Sequence, residues 1–180
     1  FGDKVTPKDF AATDFGRPIG LAVYPDGPRY DFFASGLTSL YGTLGERQLP
    51  VLFSLTGKID IGKIVALMND FPALNIIFSG FWHLGDYAAL IGSPQVSFDT
   101  ADCIGNVRPD ALGKLINAHG AERVFFGSGS YRPQYPEALA YYRQLDLDPA
   151  AERLLWYSGP PYILQERPYL GPSLADRPGR

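Results

Sequence analysis

Short apolar runs alternate with stretches of helical periodicity along most of the chain. Five runs have the length and the flanking turn residues of buried β-strands, and they cover residues 19–24, 49–55, 74–79, 95–100 and 123–126. Apolar residues three and four positions apart predict helices, with Ser35 as the N-cap of the first helix. The first helix ends near residues 45–48, and the later ones cover residues 61–71, 84–91, 109–119, 136–145 and 149–157.

This fivefold alternation of apolar strands and helices predicts an α/β fold built from parallel β/α units. An open parallel sheet satisfies the pattern as well as a barrel does. The units lie within residues 19–157. Residues 1–18 lack periodicity and are predicted to form an N-terminal arm, while residues 158–180 form a C-terminal tail that is rich in Pro and Tyr.

Composition limits the possible classes of protein. A chain of 180 residues with 46% hydrophobic and 19% charged residues is typical of one soluble globular domain. The net charge of −3, without a block of Lys or Arg, gives no electrostatic footprint for binding nucleic acid. Cys103 is the single cysteine, which excludes an internal disulfide and a cysteine-based zinc site. No apolar run reaches membrane-spanning length, so we predict a protein that is not integral to a membrane, with the cytoplasm as the default compartment.

Several segments carry a family resemblance in their order and spacing. The stretch ERVFFGSGSY at residues 122–131 resembles the last strand of the metal-dependent amidohydrolase superfamily, in its amidohydrolase-related branch of hydrolases and non-oxidative decarboxylases. Further similar segments are AHGA at 118–121, VSFDT at 96–100, FPALNII at 71–77 and ERQLPVL at 46–52. The resemblance runs from Gly20 to about Leu164. It implies the later part of a (β/α)8 barrel, here a partial or distorted TIM-barrel-like domain of about five strands.

The same resemblance locates where metal ligands belong in the family, and these positions hold other residues. Ser54 stands where a strand of the family ends in a metal-binding His, Gly80 stands in the place of the next His, and Gly129 replaces the Asp of the last strand. The His-x-His pair of the family's first strand has no counterpart. Serine and glycine do not supply the converging N, O or S ligands that zinc requires, so we predict no metal and no other cofactor.

Other residues near the strand ends are candidates for chemistry. His83 follows the Gly80 position, and Asp99 and Asp102 flank the end of the 95–100 strand on the side where barrel active sites lie. The alternative for His83 is an ordinary loop histidine, and for the two aspartates it is Asx bonds that cap a turn. Cys103 is expected to be a buried thiol, and His119 a helix C-terminal residue favoured by the helix dipole.

Two functional hypotheses from different classes follow, and the sequence leaves the question of enzymatic activity open. The favoured hypothesis is a catalytically silent amidohydrolase-like domain that is a structural or interaction subunit of a larger assembly, because the ligand positions are lost and aromatic residues make up 14% of the chain. Other protein chains are its expected partners. The alternative is a metal-dependent hydrolase or decarboxylase of a small carboxylated or cyclic substrate, with zinc or a similar metal. Its site would be completed by another chain or by a missing N-terminal half. A third hypothesis is a metal-free binder of a small molecule.

Overall fold

Five parallel strands form one sheet in the computed structural model. The structure describes residues 20–25, 30–55, 59–80, 84–127 and 135–157, so the predicted arm (1–18) and tail (158–180) lie outside the described residues. The strands are β1 (Leu21–Val23), β2 (Pro50–Ser54), β3 (Asn75–Ser79), β4 (Val96–Asp99) and β5 (Val124–Phe125). Their order in the sheet is β1-β2-β3-β4-β5, and every neighbouring pair is parallel. The prediction of parallel β/α units is confirmed.

The strand order follows the chain order, as it does in a β/α barrel, but the described sheet is not closed. Within the described residues, β1 pairs with β2 alone and β5 pairs with β4 alone. Past the end of β5, the Phe126 N–H donates to the carbonyl oxygen of Leu155 at 3.1 Å, so the last described helix covers that end of the sheet. The architecture is therefore a partial, open version of the barrel arrangement.

Within the described ranges, five α-helices and two 3₁₀ segments connect and cover the strands. The helices are α1 (Ser35–Glu46), α2 (Ile61–Asp70), α3 (Pro109–His119), α4 (Tyr135–Tyr142) and α5 (Pro149–Tyr157), and the 3₁₀ segments are Leu84–Leu90 and Ala121–Arg123. The short helix predicted at residues 84–91 is present as the 3₁₀ helix Leu84–Leu90, a form that is common in short connectors. One expectation needs correction. Ser35 is the first helical residue, because Ala34 holds the cap position, where no side chain caps the helix.

One face of the sheet packs against the helices and contains the main core. Phe53, Phe78 and Phe98 are paired in register on β2, β3 and β4, and none of the three has exposed surface. Their ring centroids lie 5.9 Å and 6.0 Å apart along this row. Tyr87 and His119 pack against the row from the helical side. Burial of these large apolar side chains, at roughly 25 cal/mol per Å2, is the main force that fixes the sheet.

The opposite face carries smaller side chains and is less covered. Ala22, Leu52, Ile77 and Ser97 are aligned in register across the first four strands, and alternation along each strand turns them away from the phenylalanine row. Ala22 is exposed and Leu52 is half-buried. Ile77 is buried but does not belong to the main core cluster. This inner face is the one that a closed barrel would enclose. Among the described residues, none of the helices has the length and apolar character needed to cross a membrane.

Candidate functional site

Three polar side chains share one register position at the carboxyl ends of the strands. Ser54 on β2 pairs with Ser79 on β3, and Ser79 pairs with Asp99 on β4. All three are half-buried and lie on the inner face, beyond the row that contains Leu52. We refer to Ser54, Ser79 and Asp99 as the rim rung. Enzymes with parallel β/α folds use this end of the strands for their active sites.

Asp99 is the charged member of the rim rung and is held in a fixed position. Its Oδ1 accepts the Ala101 N–H at 2.8 Å, which forms an Asx turn after β4, and the Ser79 side chain also hydrogen-bonds to it. Among the described residues, no cation forms an ion pair with it. Burial raises the pKa of Asp99 above its ordinary value, with a smaller contribution from the Asp102 charge, and the two hydrogen bonds oppose this shift.

Gly80 directly follows Ser79 and lies against the end of β2, at the edge of the sheet formed by the carboxyl ends of the strands (here called the rim). Its φ of +78° is a conformation that residues with a Cβ rarely adopt, and a Cβ there would lie 2.5 Å from the carbonyl oxygen of Leu55. The Leu55 N–H donates to the carbonyl oxygen of Ser79 at 2.8 Å, so the two chain segments remain paired past the strand ends. A histidine cannot be placed at residue 80 without moving this backbone.

Gly127, just after β5, is held by a network of hydroxyl groups. Its N–H donates to Thr100 Oγ1 at 3.0 Å. The Tyr142 hydroxyl donates to the same oxygen at 2.6 Å, and it lies 3.3 Å from the carbonyl oxygens of Thr100 and Gly127. Thr100 and Tyr142 are both buried. A Cβ on Gly127 would collide with Oδ1 of Asp99. The Asp99 carboxylate therefore covers the end of β5.

The predicted candidates are only partly brought together. Asp99 lies at the rim as expected, and its Asx turn agrees with the capping alternative. Asp102 is exposed with φ of 61°, and its carbonyl oxygen accepts a hydrogen bond from Asn106 at 2.8 Å. His83 and Gly129 lie outside the described residues. Asp99 is thus half-buried at the strand ends, whereas Asp102 is exposed in the turn that follows, and a catalytic role of either residue stays a prediction.

Two further expectations concern buried groups. Cys103 has no exposed surface, so it is the buried thiol that the sequence predicted, and burial is the largest cause that raises the pKa of this thiol. His119 is 3% exposed, and its Nδ1 accepts the Gly92 N–H at 2.9 Å while its Nε2 donates to the Val96 carbonyl at 2.9 Å. Burial lowers the pKa of His119. His119 is the last residue of α3, as the sequence predicted. Its Nδ1 accepts a hydrogen bond and therefore carries no proton, so the ring is neutral and the helix dipole, which favours a cation, does not explain its position.

Two residues of the rim, Ser79 and Tyr142, are absent from the candidates that the sequence alone supplies. Strand alternation places Ser79 level with Ser54 and Asp99, so the alternation is a signal that could have identified it. Tyr142 lies 42 residues from Thr100 in the sequence, and no local pattern predicts a contact between residues this far apart.

A divalent metal is implied by the family resemblance, and the described residues do not fit one. No group of three or more His, Cys, Asp or Glu converges within residues 20–25, 30–55, 59–80, 84–127 and 135–157. The rim rung offers one carboxylate and two hydroxyl groups, whereas catalytic zinc takes three protein ligands of the N, O or S type. The donor set of the rim rung is therefore too small to hold such an ion.

The sequence matches no protein-family model and no curated protein, whereas solved structures share the fold. A Pseudomonas putida protein assigned as a 2-pyrone-4,6-dicarboxylic acid hydrolase is 18% identical, with a TM-score of 0.55 over 76% of this chain and 59% of its own. A 2,6-dihydroxybenzoate decarboxylase in complex with 2,6-dihydroxybenzoate is 13% identical, with a TM-score of 0.54 over 76% and 59%. An assigned amidohydrolase from Staphylococcus aureus is 10% identical, with a TM-score of 0.56 over 79% and 63%.

These neighbours are described as a hydrolase, a decarboxylase and an amidohydrolase, so the predicted resemblance of fold is confirmed. This chain spans about three fifths of the length of each neighbour, 59% to 63%. At these identities, the comparison establishes a shared fold, and a fold hosts many chemistries.

Proposed function

We propose that this chain is a catalytically silent amidohydrolase-like domain that serves as a structural or interaction subunit of a larger assembly. The proposal combines the fold shared with hydrolases and decarboxylases with strand ends that hold serine and glycine in place of metal ligands. Ser54 and Gly80 are the two such positions within the described residues. Gly129 is the third, by the sequence resemblance alone.

The observation that supports the proposal is that atoms of the chain itself fill the space beside Gly80, one of the two described positions where the family resemblance expects a metal ligand. The Leu55 carbonyl oxygen occupies the space that a side chain at Gly80 would need. The Asp99 carboxylate covers Gly127 and accepts the Ala101 N–H. A ligand site that had lost one side chain by substitution would leave a gap, whereas at Gly80 the backbone of Leu55 takes up the room. Rebuilding a metal site would therefore require movement of the backbone as well as new side chains.

An interaction role is supported by the β1 side of the domain. β1 is an edge strand within the described residues, and sheet edges in natural proteins are covered or protected. Tyr24, directly after β1, is 68% exposed, and Ala22 in the middle of β1 is exposed as well. Tyrosine is one of the side chains that interfaces favour. Another protein chain is the partner that we propose for this side.

Metal content tests the silent character of the domain. The purified full chain, equilibrated with zinc or manganese and then dialysed, is expected to retain far less than one equivalent of metal per chain by elemental mass spectrometry. Retention of one equivalent would overturn the proposal.

Native mass spectrometry of the chain from its source cells tests the proposed interaction role, because a subunit is expected in a complex heavier than the chain. A monomer as the sole species would contradict the interaction role.

A second candidate is a metal-dependent hydrolase or decarboxylase whose site is completed by another chain or by an N-terminal half. Two observations favour it. The chain spans only 59% of the length of the first two neighbours, and the half-buried Asp99 at the strand ends has a raised pKa, as general acids and bases often do. Under this alternative His83, Asp99 and Asp102 contribute to the site.

The alternative predicts that activity toward small carboxylated or cyclic compounds depends on added metal and on these side chains. His83→Ala and Asp99→Asn should each lower such an activity at least about tenfold if they act in acid–base chemistry. An activity that is independent of metal and unchanged in both variants would remove this candidate.

A further inference from the structure

We propose that His119 is a pH-sensitive switch: its neutral ring holds the turn between the 3₁₀ segment Leu84–Leu90 and β4, and protonation of the ring in acid releases this turn. Residues 91–95 form the turn, which we call the connector turn. The proposal concerns a conformational device within the domain and does not depend on the proposed structural role.

The two ring nitrogens of His119 contact the backbone of the connector turn and of β4. Nδ1 accepts the Gly92 N–H at 2.9 Å, and Nε2 lies 2.9 Å from the carbonyl oxygen of Val96. A neutral imidazole carries one proton on its two nitrogens. Because Nδ1 is an acceptor, that proton is on Nε2 and is donated to Val96. The two contacts together therefore require one tautomer of the neutral ring.

Protonation of the ring removes one of these contacts and keeps the other. An imidazolium ring has a proton on each nitrogen and no acceptor, so its Nδ1–H would face the Gly92 N–H, donor against donor. The bond from Nε2 to the Val96 carbonyl oxygen is retained. Gly92 is exposed, so water accepts the released N–H. The ring thus stays attached to β4, while the connector turn loses its attachment to the ring.

The other contacts of the connector turn allow its middle to move while its ends stay in place. On one side, the Leu90 side chain has no exposed surface. On the other side, the Gln95 side-chain amide donates to the carbonyl oxygen of Phe71, at the end of α2, at 3.0 Å. Between these ends, the Ser93 N–H donates to the Leu90 carbonyl oxygen at 3.1 Å. We therefore expect acid to open residues 91–93 and to leave the sheet intact.

The groups around His119 place its protonation in the acid range. Burial is the largest cause that lowers the pKa of His119, the hydrogen bond to Val96 raises it, and from the 3₁₀ turn after α3 the Arg123 charge lowers it and the Glu122 charge raises it. The aromatic side chains packed in a row beside it carry no charge in acid: Phe98 on β4 and, behind it, Tyr87 of the 3₁₀ segment. Release of the connector turn is therefore expected below pH 6.5, the ordinary value for histidine.

Amide hydrogen exchange of the full chain, followed by NMR from about pH 8 to about pH 4.5, tests the proposal. Each rate is divided into the intrinsic rate at the same pH, which gives a protection factor for each amide. The open form binds the proton more tightly than the closed form, so acid favours opening. We expect the protection factors of Gly92 and Ser93 to be constant above pH 6.5 and to fall below it, by up to about tenfold per pH unit.

Two further NMR readouts accompany the exchange data. Proton–nitrogen correlation spectra of the imidazole should place the single proton of the His119 ring on Nε2 at neutral pH. The Leu49 amide is the internal control, because its N–H donates to the Leu44 carbonyl oxygen at 2.9 Å, a turn after α1 that involves no titrating group. Its protection factor should stay constant over the same range.

Variants connect the pH dependence to the ring. His119→Gln supplies one acceptor and one donor that do not titrate in acid, so the protection factor of Gly92 should lose its pH dependence. Asp110→Asn is the matched control, because it removes an exposed titrating carboxyl from the same helix, and it should keep the response of the parent chain. Thermal melts show whether each variant is folded.

Three results would each overturn the proposal: a ring proton on Nδ1 at neutral pH, protection of Gly92 that does not change with pH in the parent chain, and a loss at Gly92 that Leu49 shares. Persistence of the pH dependence in folded His119→Gln would overturn it as well. If that variant does not fold, the spectra and exchange rates of the parent chain still decide. None of these outcomes bears on metal retention or on the mass of the native complex, so the switch and the proposed function fail or stand separately.

Discussion

We expect His119→Phe to lower the free energy of unfolding by about 2–3 kcal/mol at neutral pH. Phenylalanine keeps an aromatic ring against Phe98, whose centroid lies 4.8 Å from that of His119, but it removes two hydrogen bonds. The carbonyl of Val96, which is fully buried, loses its donor, and the Gly92 N–H loses its acceptor. A buried group left without a partner costs about 1–3 kcal/mol, and the exposed position of Gly92 lets water offset part of the second loss.

The variant should also change how stability depends on pH. Burial lowers the pKa of His119 below its ordinary value of 6.5, so the unfolded chain binds more protons than the folded chain between the two pKa values. The contribution of His119 to stability is therefore fully present above pH 6.5 and is lost as the pH falls through the lower pKa of the folded state. The slope of this loss is at most about 1.4 kcal/mol per pH unit.

Urea unfolding of both proteins across the acid range measures this effect. The raised pKa of Asp99 acts in the opposite direction, but it is present in both proteins and cancels in their difference. Ile116→Val is the matched control: it lies on the same helix with no exposed surface, and it should cost about 0.5–1.5 kcal/mol at every pH. The difference between wild type and His119→Phe should shrink as the pH falls below 6.5. A constant difference, parallel to the control, would refute the assignment of a buried neutral ring.

Two further matched pairs use chemical unfolding. Tyr142→Phe should lower the free energy of unfolding by about 1–2 kcal/mol, because it removes the hydroxyl that contacts three oxygens. Tyr41→Phe should be neutral or stabilising, since its buried hydroxyl has no partner in the described part of the chain. Equal losses of stability in the two variants would contradict this reasoning. Gly80→Ala should lower the free energy of unfolding by at least about 2 kcal/mol, and Gly92→Ala by about 1 kcal/mol. Both glycines have a positive φ, but of the two only Gly80 faces a backbone oxygen, that of Leu55. Equal costs for the two glycines would show that the close approach is unimportant.

The strands are predictable because their signal is local. Each observed strand lies inside its predicted run: Asn75–Ser79, for example, lies within the predicted 74–79. The helices Pro109–His119 and Pro149–Tyr157 match the predicted bounds as well. Proline at the first position of each marks the start, and apolar periodicity marks the extent.

The site is only partly predictable because its contacts are not local. The positions of Ser54 and Gly80 follow from the resemblance, but the filling of the rim by the Leu55 carbonyl oxygen depends on backbone geometry that no residue type encodes. The same holds for His119, whose type and place at a helix end suggest a cation. Its partners, Gly92 and Val96, are brought to it by tertiary packing, and burial outweighs the favourable field of the helix end.

Strand order that follows chain order has a consequence for how the domain folds. Each new strand pairs with the one synthesised just before it, across a single β/α connection. No step has to bring the two ends of the sheet's sequence together, so the loop-closure cost of each pairing stays moderate, and the sheet can grow outwards from any adjacent pair of strands. The middle strand, β3 (Asn75–Ser79), has neighbours on both sides. Its amide hydrogens should be the slowest to exchange with deuterated water, and those of β1 (Leu21–Val23) the fastest among the strands.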